Sequence, residues 1–309
     1  MRKFFPSLNK YSNYIFCDNA GGSQIPSHVL NNFENFVTNN YVQPIGNTIL
    51  SKNMHYQLDN VKNITNILLN NKRGTTIFGG SCTQLTYNLA NSMENYLKIK
   101  DGNIILSNFS HEACITPFER IANKNNMHIK WWSTASDKNN NYKIDYNELL
   151  NMVNINTQLV VIPHVSNILG NVIDIKFIIE EIKKKNSNTK ILVDGVAYMP
   201  HGAIDVDYYN VDFYIVSFYK FCGLRLSALY CLDDSLNINK NQNHYFFDNL
   251  NSNYSKKLEL GGYNYECASS ILGVKDYLIA LAKFLNYNNF KDSSVEVKFD
   301  RQLVLFVMD

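Results

Sequence analysis

Two ionisable side chains directly follow apolar runs of the sequence. Lys220 closes the aromatic stretch Ser217–Lys220, which follows the apolar run 211–216. Burial at a strand end disfavours the ammonium form and leaves a nucleophilic amine, which can form a Schiff base with an aldehyde. Asp194 ends the apolar run 191–193, and a buried carboxylate there needs a partner such as a ring N–H. The pair suggests pyridoxal phosphate (PLP), with a snorkelling lysine and a turn-capping aspartate as the structural alternatives.

A glycine turn upstream has the pattern of a phosphate site. Gly79-Gly80 separates the apolar segment 76–78 from a helical pattern that begins near Thr83. Free backbone amides and the helix dipole favour an anion there, and the hydroxyls of Ser81 and Thr83 add donors. No Gly-Lys-Ser/Thr sequence follows, so the turn is not a P-loop. An ordinary capped helix start is the alternative interpretation.

Two polar side chains between these motifs suit a flat ring. His111 lies at a predicted strand-to-helix junction, where an imidazole can stack on a ring and transfer protons, although a surface histidine is the alternative. Asn167 follows the apolar run 159–162 and can hydrogen-bond a phenolic oxygen, although turn chemistry also explains it. The motifs occur in an order that an α/β sheet would present at one edge.

Short apolar runs alternate with helical patterns along the chain. This alternation predicts an α/β fold with a mainly parallel central sheet, in which ligands bind beyond the carboxyl ends of the strands. The predicted strands are 104–107, 128–132, 158–163, 190–194, 212–217 and 227–232. The predicted helices are 26–38, 55–70, 83–98, 112–125, 267–286 and a helix that begins after the N-cap Asp174.

Composition excludes several classes of protein. The 309 residues are 45% apolar and 18% charged with a net charge of +2, which argues against nucleic acid or an anionic membrane as partner. No apolar run reaches membrane-spanning length, and the N-terminus lacks the apolar segment of a signal peptide. The six cysteines form no CxxC pair and no zinc spacing. We therefore expect a cytoplasmic protein without a metal site.

With these motifs in order, the sequence resembles the class V aminotransferase family of PLP enzymes, which includes the cysteine desulfurases. The resemblance is most specific in the stretches 164–167, 193–201 and 212–220, and it extends from 16–26 to 258–266. It implies the large domain of an aspartate aminotransferase-like, fold type I transferase. The expected organisation is an N-terminal arm (1–15), a large PLP-binding domain (16–255), and a linking helix with the start of a truncated small domain (256–309).

The resemblance also implies a role for each site residue. Lys220 would carry the Schiff base and act as a catalytic base, Asp194 would pair with the ring nitrogen, and His111 would stack on the ring. Asn167 would contact the ring hydroxyl. The phosphate would be surrounded by Cys82, Thr83, Ser217 and Tyr219. Gly261-Gly262 would approach the cofactor of a partner subunit, which implies a homodimer.

The sequence departs from the desulfurase pattern in three places. Desulfurases usually have Gln at Ala197 and His at Tyr219. The substrate-binding arginine and the loop cysteine of the small domain have no counterpart, and Arg225 matches neither. We expect the tail 293–309 to be a strand pair cut short.

Three functional hypotheses follow from the sequence. The first is a PLP enzyme that acts on an amino acid, with cysteine desulfurase-like chemistry on L-cysteine as its leading form. The second is an aminotransferase, lyase or epimerase on another amino acid. The third is a catalytically inactive remnant of the PLP fold.

Overall fold

One sheet forms the centre of the molecule. The computed structural model describes residues 1–136, 142–245, 254–287 and 298–308. The strands in these ranges are β1 (Gly74–Gly79), β2 (Asn103–Ser107), β3 (His128–Trp132), β4 (Ala135–Ser136), β5 (Tyr142–Lys143), β6 (Thr157–Pro163), β7 (Lys190–Asp194), β8 (Phe213–Ser217) and β9 (Ser227–Leu232). Seven of them pair in the order β1-β9-β8-β7-β6-β2-β3, while β4 and β5 form a separate hairpin. Strand β9 runs antiparallel to the other six strands of this sheet, so the predicted mainly parallel sheet is confirmed.

Helices cover both faces of this sheet. They are α1 (Pro6–Lys10), α2 (Ser27–Asn39), α3 (Ile49–Leu69), α4 (Cys82–Ser92), α5 (Glu112–Lys124), α6 (Tyr146–Met152), α7 (Ile175–Lys185), α8 (Val206–Tyr209), α9 (Asp233–Leu236), α10 (Tyr265–Phe284) and α11 (Arg301–Met308). Two separate apolar clusters lie on the two faces, which explains why the strands read as continuous apolar runs. None of the described helices is long and apolar enough to cross a bilayer.

Helix α7 follows the sequence pattern closely. Asp174 is its N-cap, and the Asp174 Oδ1 accepts a hydrogen bond from the Phe177 amide at 3.0 Å. Its four buried isoleucines are Ile175, Ile178, Ile179 and Ile182. This stripe packs against the sheet, as the helical spacing predicts.

The predicted elements differ from the structure mainly at their ends. Helix α3 begins at Ile49 rather than at 55, because Thr48 Oγ1 caps it by accepting the Ser51 amide at 3.1 Å. Helix α4 ends at Ser92 rather than at 98. Strand β1 extends the short 76–78 segment and pairs with β9 at the edge of the sheet.

The prediction of a strand pair in the tail is wrong for residues 301–308. They form helix α11, while 291–297 and 309 lie outside the described residues. Asp300 Oδ1 accepts the Leu303 amide at 3.0 Å and starts the helix. Leu303 and Val304 are buried, and α11 packs on α10 and α3. Tertiary packing of these apolar residues therefore decides for a helix where the sequence predicted strands. The division of the chain into an arm and two domains stays a prediction.

Candidate active site

A cavity of about 180 Å³ lies beyond the carboxyl ends of β6, β7 and β8. It brings together eight of the nine predicted site residues, namely Cys82, Thr83, His111, Asn167, Asp194, Ser217, Tyr219 and Lys220. These residues are distant in sequence. The parallel strands carry them to one edge of the sheet, as expected for an α/β fold.

Lys220 lies in a short 3₁₀ turn, Phe218–Lys220, directly after β8. The buried Phe218 anchors this turn, since its amide donates to the Leu226 carbonyl at 2.9 Å. Cys222 has a positive φ of 59°, and the Gly223 amide returns to the Phe218 carbonyl at 2.9 Å. The turn thus fixes the backbone of Lys220, while its side chain lines both the cavity and a larger neighbouring cleft.

Asp194 is a buried carboxylate at the end of β7, and its side-chain environment is incomplete for a charged group. Its Oδ1 accepts the Val196 amide at 3.0 Å. Within the described part of the chain, no cationic side chain forms an ion pair with it. Burial raises the pKa of Asp194 above its ordinary value. Because Asp194 also lines the cavity, its carboxylate can accept a hydrogen bond from a ring N–H there, in addition to those from the Val196 amide and the Cys114 thiol.

The backbone behind Asp194 is held by tight aromatic packing. The Asp194 carbonyl accepts the His164 amide at 2.8 Å, and His164 Nδ1 lies 2.7 Å from the Tyr214 hydroxyl. Burial lowers the pKa of His164 to about 3, so this imidazole is neutral. A Cβ at Gly195 would lie 2.1 Å from the Tyr214 ring, which explains why glycine follows Asp194.

The opposite end of the cavity has the features of an anion site. Ser81 caps α4 by accepting the Gln84 amide at 3.1 Å, and its O–H is still able to donate to an anion. The amides of Cys82 and Thr83, in the first turn, have no intrahelical acceptor. Ser217 is fully buried, and its Oγ lies 2.5 Å from the Ser227 Oγ.

Arg225 also belongs to this wall and was not predicted as a site residue. Its guanidinium lies 5.2 Å from the centre of the Tyr219 ring, and its side chain lines the cavity. Burial raises the pKa of Tyr219, so its hydroxyl is neutral near pH 7. The only sequence signal for Arg225 was its position shortly after Lys220. A guanidinium that lines the same cavity as the start of α4 adds a charge suited to phosphate.

His111 and Asn167 lie on the walls between these two ends. His111 caps α5, and its Nδ1 accepts the Ala113 amide at 3.1 Å. In the neutral imidazole the proton is therefore on Nε2. Asn167 is exposed at a turn that Ser166 stabilises, since the Ser166 Oγ donates to the Phe109 carbonyl at 2.9 Å. The turn interpretation and the ligand interpretation of this motif are thus compatible.

Gly262 is the predicted residue that lies elsewhere. It lines a separate cleft with Gly80 and Glu259, outside the cavity of Lys220. Within one chain it does not reach the site. The implied approach to a partner's cofactor stays a prediction.

A cleft of about 650 Å³ adjoins the cavity and shares Val165, Asn167, Ala197 and Lys220 with it. The cleft has a largely apolar wall with contributions from α10 and α11. Cys222 also lines it, and burial raises the pKa of the Cys222 thiol to about 11. This thiol is consequently protonated near neutral pH, which makes it a weak nucleophile.

Comparisons with known proteins agree with this architecture. Residues 15–238 match the family model described as Aminotransferase class-V. An aminotransferase-like protein, FGM3, from Gibberella zeae is 35% identical over 282 residues, which cover 90% of this chain and 67% of that protein. A cysteine desulfurase from Wigglesworthia glossinidia brevipalpis is 31% identical, covering 72% of this chain and 54% of that protein.

The same fold occurs in a solved structure of a C-DES variant with glycine covalently linked to its PLP cofactor. The two structures superimpose with a TM-score of 0.74 at 18% identity, covering 89% of this chain and 72% of the other. This likeness concerns the fold alone. The chain spans between about half and two thirds of the length of the two curated relatives described above.

Proposed function

The chain belongs to the aminotransferase class-V family, and from this membership we propose that it is a PLP-dependent enzyme acting on an amino acid, with cysteine desulfurase-like chemistry on L-cysteine. The observation that carries the proposal is the single cavity that holds Lys220, Asp194 and the start of α4. The amine of Lys220 matches the aldehyde of PLP, and the buried carboxylate of Asp194 matches its ring nitrogen. The anion site at the start of α4 matches its phosphate.

When bound, PLP would supply an electron sink for negative charge that develops on the substrate. Asp194 would keep the ring nitrogen protonated, because its buried carboxylate, which has only the Val196 amide and the Cys114 thiol as donors, would gain a charged one. His111, whose Nδ1 is held by the Ala113 amide, would stack on the ring. Asn167 would donate its side-chain amide to the ring hydroxyl oxygen.

The phosphate end relies on backbone donors and one cation. The amides of Cys82 and Thr83, with the α4 dipole, bind the phosphate, and Arg225 adds a positive charge from the adjacent wall. Ser217 and Tyr219 complete this end. The arginine compensates for the histidine that desulfurases usually have where this chain has Tyr219.

Lys220 has two tasks in the proposed reaction. Its Nζ would hold the cofactor aldehyde, and the same amine, when free, would move a proton at the substrate carbon. The rigid turn after β8 keeps the amine at the junction between the cavity and the larger cleft. The substrate side chain would occupy the larger cleft.

Sulfide release from L-cysteine tests the proposed reaction. We expect PLP-loaded protein to release sulfide, Lys220→Ala to release none, and Lys184→Ala to match the wild type. Lys184 is a matched control because it is an exposed lysine on α7 that pairs with Glu181. No release by the loaded wild type contradicts the desulfurase assignment. In that case, spectral changes with other amino acids would support an aminotransferase, lyase or epimerase instead.

We also propose a cytoplasmic homodimer. Gly262 is the residue expected to face the partner's cofactor. Several large apolar side chains are exposed in the segments 14–16 and 41–56, such as Ile15 at 87% and Ile45 at 91% exposure. A second copy would cover such surface. All six cysteines are free thiols, which supports a reducing compartment.

A further inference from the structure

Three metal-ligating side chains meet at the inner wall of the Lys220 cavity. They are Cys82 from the start of α4, Cys114 from the first turns of α5, and Asp194 from the end of β7. Their ligand atoms all lie within 4.8 Å of one another. The three residues are far apart in sequence and form no zinc motif, so the sequence alone predicted no metal site.

The spacing of the two thiols suits a tetrahedral ion. The Cys82 and Cys114 sulfur atoms are 3.7 Å apart. Two sulfur ligands, each about 2.3 Å from a tetrahedral zinc ion, lie about 3.8 Å apart, so little movement is needed to seat the ion. Cysteine thiolates and aspartate oxygens are both ligand types that zinc accepts.

The surroundings of the cluster favour a site with an open position. All three residues are buried, with 8%, 0% and 6% of the surface of Cys82, Cys114 and Asp194 exposed. Cys82 and Asp194 line the cavity, so a fourth ligand such as water can approach from that side. Lys220 lines the same cavity and offsets the net negative charge of two thiolates, a carboxylate and a divalent ion.

We propose that Cys82, Cys114 and Asp194 bind one thiophilic divalent cation, such as zinc, in the cofactor-free protein. Each thiol releases its proton to solvent as its bond to the ion forms. One consequence rests on the proposed function: Asp194 cannot serve the cation and the ring nitrogen of PLP together. Cation and cofactor therefore exclude one another, and zinc slows the loading of PLP.

Cadmium and zinc titrations of the cofactor-free protein test this site. Cadmium alone should bind at one ion per chain and give a thiolate-to-metal ultraviolet absorption band. Zinc should displace the cadmium and remove this band. In Cys114→Ser and in Cys82→Ser the affinity for zinc should fall at least about 100-fold, because a direct ligand is lost. Cys231→Ser is the matched control, since Cys231 is a fully buried free cysteine in β9 that lies outside the cluster. It should bind zinc like the wild type.

The outcomes separate the metal site from the cofactor site. Thermal unfolding identifies a cysteine variant that fails to fold. The zinc affinity of the other cysteine variant then tests the site. No zinc binding by the wild type, or wild-type zinc affinity in the folded Cys82→Ser and Cys114→Ser variants, overturns the proposal. If PLP loads equally fast with zinc bound, the shared use of Asp194 is wrong. If zinc binds as expected but PLP never binds, the metal site stands and the proposed function fails.

Discussion

Asp194 is the residue that depends most on a bound partner. A second buried carboxylate, Asp212, shows the contrast, because it pairs with Lys183 Nζ at 2.8 Å and with Lys190 Nζ at 3.1 Å. Asp194 accepts hydrogen bonds from the Val196 amide and the Cys114 thiol and forms no ion pair among the described residues. The two carboxylates should therefore respond in opposite ways to neutralisation.

We predict that Asp194→Asn raises the unfolding temperature of the cofactor-free protein at pH 7. Burial raises the folded pKa of Asp194 above its unfolded value, so its proton is held more tightly in the folded state and stability falls as pH rises above about 4. The asparagine variant lacks this loss, and each kcal/mol regained raises the midpoint by about 2–4 °C. Calorimetry from pH 4 to pH 8 measures the effect.

The Asp194→Asn variant should also bind PLP about 10- to 100-fold more weakly than the wild type, because it loses a hydrogen bond to a charged group. For the unfolding temperature, Asp212→Asn is the control. It should lower this temperature, because it leaves Lys183 and Lys190 without their ion-pair partner. A lower unfolding temperature for Asp194→Asn would show that the carboxylate is already satisfied without a cofactor.

Arg225 provides a test of the phosphate end. We predict that Arg225→Gln weakens binding of PLP about tenfold and leaves binding of pyridoxal, which lacks the phosphate, unchanged. Absorbance titrations with both compounds measure this. Arg120→Gln is the control, because Arg120 stacks on Tyr87 outside the cavity. An equal loss for both compounds would mean that Arg225 acts on the structure of the wall and not on the phosphate.

At the scale of elements, the sequence predicts interior strands and helices well and the tail badly. The interior strands are continuous apolar runs that flank strongly patterned helices such as α7, so local pattern and tertiary position agree. The tail has few patterned residues, and its helix depends on packing against α10 and α3. Helix α11 could therefore not be derived from local preference.

Substitutions of two leucines in α11 distinguish the helix from the predicted strand. In a strand Leu303 and Leu305 share a face, whereas in the helix Leu303 is buried and Leu305 is exposed. We predict that Leu303→Ala lowers the free energy of unfolding by about 2–4 kcal/mol and that Leu305→Ala changes it by less than about 0.5 kcal/mol. Urea denaturation measures both, and similar losses would indicate a strand.

At the scale of the whole molecule, the order of the motifs predicts the site better than any single residue does. Each motif has an ordinary structural explanation, and Ser81 and Asn167 do fill cap and turn positions. The parallel sheet nevertheless brings eight predicted residues to one cavity. Cys114 and Arg225 were not assigned, because their positions near the site depend on packing between elements that the chain order does not reveal.

The oligomeric state belongs to this scale as well. We predict that sedimentation equilibrium of the PLP-loaded protein gives a mass about twice that of the 35.6 kDa chain. The exposed apolar side chains in segments 14–16 and 41–56 favour association, and Gly262 lies outside the cavity of its own chain. A loaded protein that remains monomeric at all concentrations would contradict the homodimer.

The most direct test of the account is the identity of the residue that PLP modifies. The protein is incubated with PLP, reduced with borohydride and digested, and the labelled peptide is identified by mass spectrometry. We predict a single pyridoxyl label on Lys220 that is absent from Lys220→Ala and present in Lys184→Ala. A label spread over surface lysines, or no label on the folded wild type, would contradict the proposal that this cavity is a PLP site.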